Sequence, residues 1–336
     1  MAGKPQKIRH RLFYIAIFLS LASCFVVAET LVPENPDHSW HAPQAPHSLL
    51  VALDQMDEQV FAVGARGHVL RASSSSLADW RQSDVQTQVL LNAIQMVDQD
   101  RGWAVGHDAI ILATRDGGKT WLEQHKAIVE ERPVLVVWFS VTKWGFAIGA
   151  FGYFMATIDG GNTWYDRIIH EEHDYHLNAI ADNGMGKLFI AAESGYVYRS
   201  HDGGENWQVL NPPYRGSFFA IAADGDTVIV VGLRGHVFLS TDAGENWQAV
   251  DTGIETTLTS IQQVNDEQFV VVGHAGVVLL LDIGSGNVSL YRQAARNAFS
   301  DVVLTRQHNL VMAGEHGISL RNLCQVFDDK LNGVCP

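Results

Sequence analysis

One eight-residue pattern recurs along this chain at nearly fixed intervals, and it leaves few folds open. TRDGGKTW (114–121), TIDGGNTW (157–164), SHDGGENW (200–207) and STDAGENW (240–247) all read Ser/Thr-x-Asp-Gly/Ala-Gly-x-x-Trp. Their tryptophans, Trp121, Trp164, Trp207 and Trp247, are spaced by 43, 43 and 40 residues. SSSSLADW (73–80) keeps the spacing and Trp80 but has lost the aspartate and the glycines. A second marker runs in parallel: an apolar stretch, a small residue, two variable residues and another small residue. The first small residues are Gly64, Gly106, Gly149, Ala192, Gly232, Gly273 and Gly314, with gaps of 42, 43, 43, 40, 41 and 41. Self-similarity at this period is the mark of a repeat architecture.

Each unit reads as four short strands. In the second these are Leu91–Ile94, Trp103–Val105, Ile110–Leu112 and a strand opening at Trp121. Small-residue pairs between apolar runs suit tight hairpins that need positive φ. Nothing shows sustained helical periodicity. Seven units of about forty residues predict an all-β fold, a seven-bladed propeller of four-stranded antiparallel blades. The seventh unit lacks an Asp-Gly-Gly-x-x-Trp strand, and Trp40 lies one repeat before Trp80. A strand near Trp40 is therefore expected to close the last blade and remove an open edge.

The recurring motif is the Asp box, or bacterial neuraminidase repeat. A motif present in blade after blade does not mark one active site. Asp116, Asp159, Asp202 and Asp242 are expected to be structural, accepting backbone N–H bonds across a hairpin, while the tryptophans cover the gaps between blades.

The N-terminus reads as an export signal. Lys4, Lys7, Arg9 and Arg11 precede an uncharged run from Leu12 to Ala28, with Val26-Val27-Ala28 as a small-residue cleavage site. Residues 1–28 are then a signal peptide and 29–336 a single propeller. Leu21-Ala22-Ser23-Cys24 also fits a lipoprotein box, in which the signal ends before Cys24 and that cysteine is acylated. An uncleaved anchor is a third reading, although 17 residues is short for a span. All three place the body outside the cytoplasm, and in a bacterium in the periplasm. Cys324 and Cys335 remain as a pair eleven apart, and in an exported protein they suggest a disulfide that pins the tail. The loop-entropy estimate for it is roughly 2–3 kcal/mol.

The formal charge is −14, and it becomes −18 once the four basic residues of the signal are removed. Such a body is a poor non-specific ligand for nucleic acid or anionic membrane, which leaves room only for a local basic patch. From about Pro36 to Leu323 the chain resembles the photosystem II stability/assembly factor family and its relatives in non-photosynthetic bacteria. The seven Gly-x-x-Gly-type hairpins and the four full Asp boxes carry the resemblance, as in GLRGHVFLSTDAGENW (232–247). The resemblance implies a seven-bladed propeller that scaffolds membrane protein complexes, is not an enzyme, uses no cofactor and docks partners on an arginine-rich face. In heterotrophic bacteria it implies a link with transporters of the resistance-nodulation-division type. Nothing marks a chloroplast protein, so a photosynthetic role is not implied.

Strand order places the Gly-x-x-Gly turns and the interblade links on one face and the Asp boxes on the other. The turns bring Arg66 and Arg234 to the first face, and the links bring Arg132, Arg215, Arg292 and Arg296. Arginine's planar fork grips carboxylates in pairs, and these six are the expected partner-binding residues. Phe151, Tyr153 and Tyr214 are expected to add aromatic anchors. Ordinary surface arginines answering Glu130, Glu131, Glu171 and Glu172 are the alternative. His170, His173 and His176 lack the His-Glu-x-x-His zinc spacing, and no metal site is expected there or at His107, His274 and His316. Asp boxes also admit a carbohydrate-binding propeller or a sialidase-like glycoside hydrolase. The latter needs an arginine cluster and working carboxyl groups on the axis, and the chain lacks the Arg-Ile-Pro signature of sialidases.

Overall fold

The computed structural model describes residues 37–327 and 330–331, and nearly all of their regular structure is strand. The chain is a seven-bladed β-propeller. Blade 1 opens with Leu50–Met56 and continues through Gln59–Gly64, Val69–Ser73 and Arg81–Gln82, each strand pairing with the next. The same antiparallel meander opens at Leu91 in blade 2, Val134 in blade 3, Leu177 in blade 4, Phe218 in blade 5, Leu258 in blade 6 and Phe299 in blade 7. Blade 2 also gains a short parallel strand, Asp84–Val85, beside Thr120 and Trp121. In the second unit the strands run Leu91–Met96, Gly102–Gly106, Ile111–Thr114 and Thr120–His125, within a few residues of expectation.

The uninterrupted apolar runs of the second strands follow from how blades stack. Alternate residues of a strand point to opposite faces, and here each face meets a different neighbour. In blade 6, Val271 packs toward blade 5 while Val270 and Val272 pack toward blade 7. Seven apolar cores result among the described residues, one between each pair of adjacent blades. The Asp-box tryptophan enters the core shared with the preceding blade: Trp121 lies fully buried among Phe61, Val63 and Leu112.

The closure of the ring differs from expectation. Among the described residues the seventh blade has three strands, Phe299–Leu304, Asn309–Gly314 and Ser319–Asn322. Trp40 lies in no strand and is 48% exposed. Pro43 and Pro46 explain this, because proline cannot donate to a β-ladder. The segment instead serves as the link between the last blade and the first. Pro46 O accepts from Ile318 N at 3.0 Å, and Ser39 N donates to Val85 O at 2.8 Å. The seam is held by direct packing of blade 7 on blade 1, with Val303, Val311 and Ala313 against Leu50, Leu53 and Leu70. The place of the missing Asp-box tryptophan in blade 7 is taken by a short helix, Leu323–Phe327. Leu323, Phe327 and Leu331 fill the core between blades 6 and 7. Cys324 in this helix is disulfide-bonded. Cys335 lies outside the described residues, as do Cys24 and residues 1–28, the expected export signal.

Candidate functional site

The two faces of the ring are built differently. On one, each Asp box folds the third strand into the fourth. Asp202 Oδ1 accepts from Ser200 Oγ at 2.8 Å and Asn206 N at 2.9 Å, and Oδ2 from Asn206 Nδ2 at 2.7 Å. Ser200 Oγ in turn accepts from Gly204 N at 2.8 Å. Asp242 repeats this with Ser240 and Asn246. Asp116 and Asp159 do so with threonines, Thr114 and Thr120 in one case and Thr157 and Thr163 in the other. Donors converging on a carboxylate favour its charged form. They hold Asp116 and Asp159 below the usual range and pull Asp202 and Asp242 down to about 2. Gly204 cannot be replaced cheaply, since its φ is +87° and a Cβ would strike the Phe146 ring of the preceding blade.

On the opposite face lie the Gly-x-x-Gly turns and the interblade links. In blades 1 to 6 the turns are tight hairpins with two consecutive left-handed residues, as at Arg66-Gly67 (φ 60° and 67°) and Arg234-Gly235 (φ 56° and 73°). This is the geometry of a type I′ turn, and it puts the first residue at the tip. The tips are Arg66, Asp108, Phe151, Ser194, Arg234 and Ala275. The link after each blade packs behind its turn: Gly235 backs onto the carbonyl of Ile254 and Gly67 onto that of Thr87.

The six arginines do not form a single cluster. Arg66, Arg215, Arg234 and Arg296 are exposed, and among the described residues their side chains form no ion pair. Arg215 and Arg234 come together, lining a hollow of about 660 Å³ with Pro212, Pro213, Tyr214 and Leu233. Arg292 and Arg296 flank the tip of the neighbouring blade 6; Arg292 is half-buried and reaches Ala275 O at 3.5 Å. Arg66 stands apart on blade 1. Arg132 is half-buried, with its guanidinium 4.6 Å above the Tyr153 ring. Tyr153 itself is buried, so it is no surface anchor. The reason is local: Tyr153 stands between the turn and the third strand, Phe154–Thr157, and packs in the core between blades 2 and 3. Phe151 at the tip is 56% exposed. Tyr214 is half-buried and stacks on His236 with centroids 4.2 Å apart.

The histidines of the third link are individually engaged. His170 stacks on His173 at 3.8 Å, His173 Nδ1 lies 2.9 Å from Tyr198 Oη, and His176 Nδ1 is 3.0 Å from Glu193 Oε2. Among the described residues no three His, Cys, Asp or Glu side chains are grouped to hold a metal ion.

The first strands surround a central cavity of about 560 Å³. Each carries a β-bulge whose extra residue lines that cavity: Val51, Asn92, Leu135, Asn178, Phe219, Thr259 and Ser300. The four polar ones tie successive blades together. Asn92, Asn178, Thr259 and Ser300 donate to the carbonyls of Val134, Phe218, Phe299 and Leu50 at 2.8–2.9 Å. No repeat signal announces this ring, because the bulge position is occupied by six different residue types across the seven blades. Two carboxyls at the seam were also invisible in the sequence. Asp301 accepts from Leu53 N at 2.7 Å and Ser260 Oγ at 2.6 Å, joining blades 6, 7 and 1. Asp54 accepts from Met96 N of blade 2. Burial pushes both upward, Asp54 to about 7 with the Asp301 charge adding. No arginine lines the cavity among the described residues.

The geometry defines an Asp-box propeller whose Asp boxes brace the frame and whose opposite face carries four exposed arginines, Arg66, Arg215, Arg234 and Arg296, that form no ion pair among the described residues. The profile of the family described as Photosynthesis system II assembly factor YCF48 matches residues 72–135 and 126–307. The chain belongs to that family. It is 26% identical over 243 residues to the Photosystem II assembly lipoprotein Ycf48 of Synechococcus sp. (strain CC9902), covering 70% of this chain and 72% of the relative. Solved structures share the fold. YCF48 bound to D1 peptide superposes with a TM-score of 0.67 at 16% identity, over 83% of this chain and 94% of that one. YCF48 from Cyanidioschyzon merolae gives 0.67 at 14% identity, over 84% and 98%. The WD40 propeller domain of Doa1 gives 0.66 at 14% identity, so the likeness of shape extends to propellers outside the family.

Proposed function

We propose that this protein is an exported, non-catalytic scaffold that helps assemble a membrane protein complex. It docks an extracytoplasmic segment of a membrane partner on its Gly-x-x-Gly face. The observation that carries the reading is the set of exposed arginines on that face, Arg66, Arg215, Arg234 and Arg296, which form no ion pair among the described residues. In a body this acidic, guanidinium groups left without partners favour carboxylate-bearing segments. Membership of a family named for assembly factors, with one solved structure holding a D1 peptide, supports a membrane protein as the partner class. We assign the body to the periplasm, as a soluble or Cys24-acylated form, with a resistance-nodulation-division transporter as the first partner to test.

The test is capture of the tagged, exported protein from detergent-solubilised membranes, followed by mass spectrometry. A stoichiometric integral membrane protein is expected. The quadruple variant R66Q/R215Q/R234Q/R296Q should lose at least tenfold of that binding while its melting profile is retained. Binding that survives the change at moderate salt would show that the arginine face is not the docking surface.

A further inference from the structure

The one degenerate Asp box, in blade 1, is where the frame leaves positive charge exposed to a hollow. In the full boxes the aspartate anchors the hairpin. At the matching position stands Ser75, and Ser73 Oγ meets Ser75 Oγ at 2.8 Å in place of the usual hydroxyl–carboxylate bond. Two residues before the box, the other blades carry buried Leu112, Met155, Tyr198 and Phe238; blade 1 carries Arg71. Arg71 is paired across the hairpin with Arg81. Residues directly opposite on neighbouring strands have Cβ atoms about 4.5–5.5 Å apart, and like charges there repel. Neither guanidinium makes a hydrogen bond or ion pair with a described residue, and Arg71 Nε is buried without a partner. Between them opens a cavity of about 260 Å³ lined by Gln59, Arg71, Ser73, Ser76, Asp79 and Arg81. Asp79 does not neutralise the pair; it accepts from Ser76 Oγ at 2.5 Å.

We propose that this hollow binds a phosphoryl group. The missing box carboxylate leaves a site short of one anion, and the ligand supplies it. Two planar forks offer paired N–H donors, and Ser73 and Gln59 add neutral ones. Four oxygens on a tetrahedral group use this spread of donors better than the two of a carboxylate. Burial first, and then the neighbouring Arg81, make the Arg71 cation costly in the empty site; the charge of Asp116 on blade 2 offsets only part of this, and a bound oxyanion between the two guanidiniums lowers the cost further. The site lies on the Asp-box face, apart from the proposed docking face, so the two stand or fall separately.

Inorganic phosphate is the first probe, added at fixed ionic strength against chloride while the full exported chain is melted at pH 7.5. A rise of about 2 °C is expected at phosphate tenfold above its Kd. Arg81→Gln, at an exposed position, should weaken phosphate at least tenfold and, without phosphate, melt at or above the native protein because the like-charge pair is gone. Co-sedimentation with phosphatidylglycerol vesicles, and not with phosphatidylcholine ones, that R81Q abolishes would assign the phosphoryl group to a lipid headgroup. A phosphate-dependent melt without vesicle binding would assign it to a soluble phosphate. A native protein indifferent to phosphate, or R81Q binding it within twofold of native, overturns the proposal.

Discussion

Trp121→Ala tests the claim that Asp-box tryptophans hold neighbouring blades together. Its ring is fully buried in the core between blades 1 and 2, and its Nε1 donates to Gly118 O at 3.1 Å. A buried tryptophan removes roughly 200–250 Å² from water. At about 25 cal/mol per Å² this is worth roughly 5–6 kcal/mol, an upper bound because unfolded chains already bury part of that area. Large aromatic truncations in cores cost about 3–5 kcal/mol, and the loss of an indole hydrogen bond adds about 1 kcal/mol. Trp164 provides the internal control: it is half-buried and its Nε1 has no hydrogen-bond partner among the described residues. Trp164→Ala should therefore cost less than Trp121→Ala, by about 1–2 kcal/mol. Urea unfolding at 25 °C, read by far-UV circular dichroism, measures both. A loss below about 2 kcal/mol for Trp121→Ala, or an equal loss for the two variants, would refute the argument from burial.

Further outcomes follow from other parts of the ring. Asp202→Ala combined with Asp242→Ala should melt well below the native protein at pH 7. The native carboxyls titrate near 2, below their unfolded value, so the gap should persist above about pH 4 and close as pH falls toward 2. A pH-independent gap would contradict this. Asp54 behaves oppositely. Its folded pKa, about 7, lies above the unfolded value, so its contribution is greatest in acid and is lost as pH rises through 7. Asp54→Asn should melt above the native protein at pH 8 and match it near pH 4. Ala109 holds φ 51° where other turns have glycine. Ala109→Gly should raise stability by about 0.5–1 kcal/mol in urea titration, since relief of left-handed strain exceeds the added freedom of the unfolded glycine.

The repeat made the blades legible because seven copies of one period leave no alternative register, and each Asp box names its own hairpin. Features present once were not legible. Trp40 sat at the right spacing for a closing strand, but Pro43 and Pro46 decide its backbone. The helix carrying Leu323 and Phe327 fills a core with no motif to predict it. On the arginine face, the strand order says only which turns and links share a side of the ring. It could not distinguish Arg132, resting on Tyr153, from Arg215 and Arg234, which share a hollow. Nor could it expose Arg71, whose significance lies in a cross-strand neighbour ten residues away. Side-chain convergence depends on tilt and register, which spacing alone does not encode.

The seam between the last blade and the first carries a consequence for how the chain reaches its native state. Ser300 reaches Leu50, and Asp301 reaches Leu53, across about 250 residues of sequence. Blades 1 to 6 can stack in order along the chain, each on the one before. The first blade, however, keeps one apolar flank uncovered until the final forty residues arrive. Such late, distant pairing slows folding and exposes the unfinished arc to aggregation and proteolysis. A chain cut before Phe299 would retain six blades yet present two bare flanks, so the seventh blade acts as the latch that ends a vulnerable interval during folding.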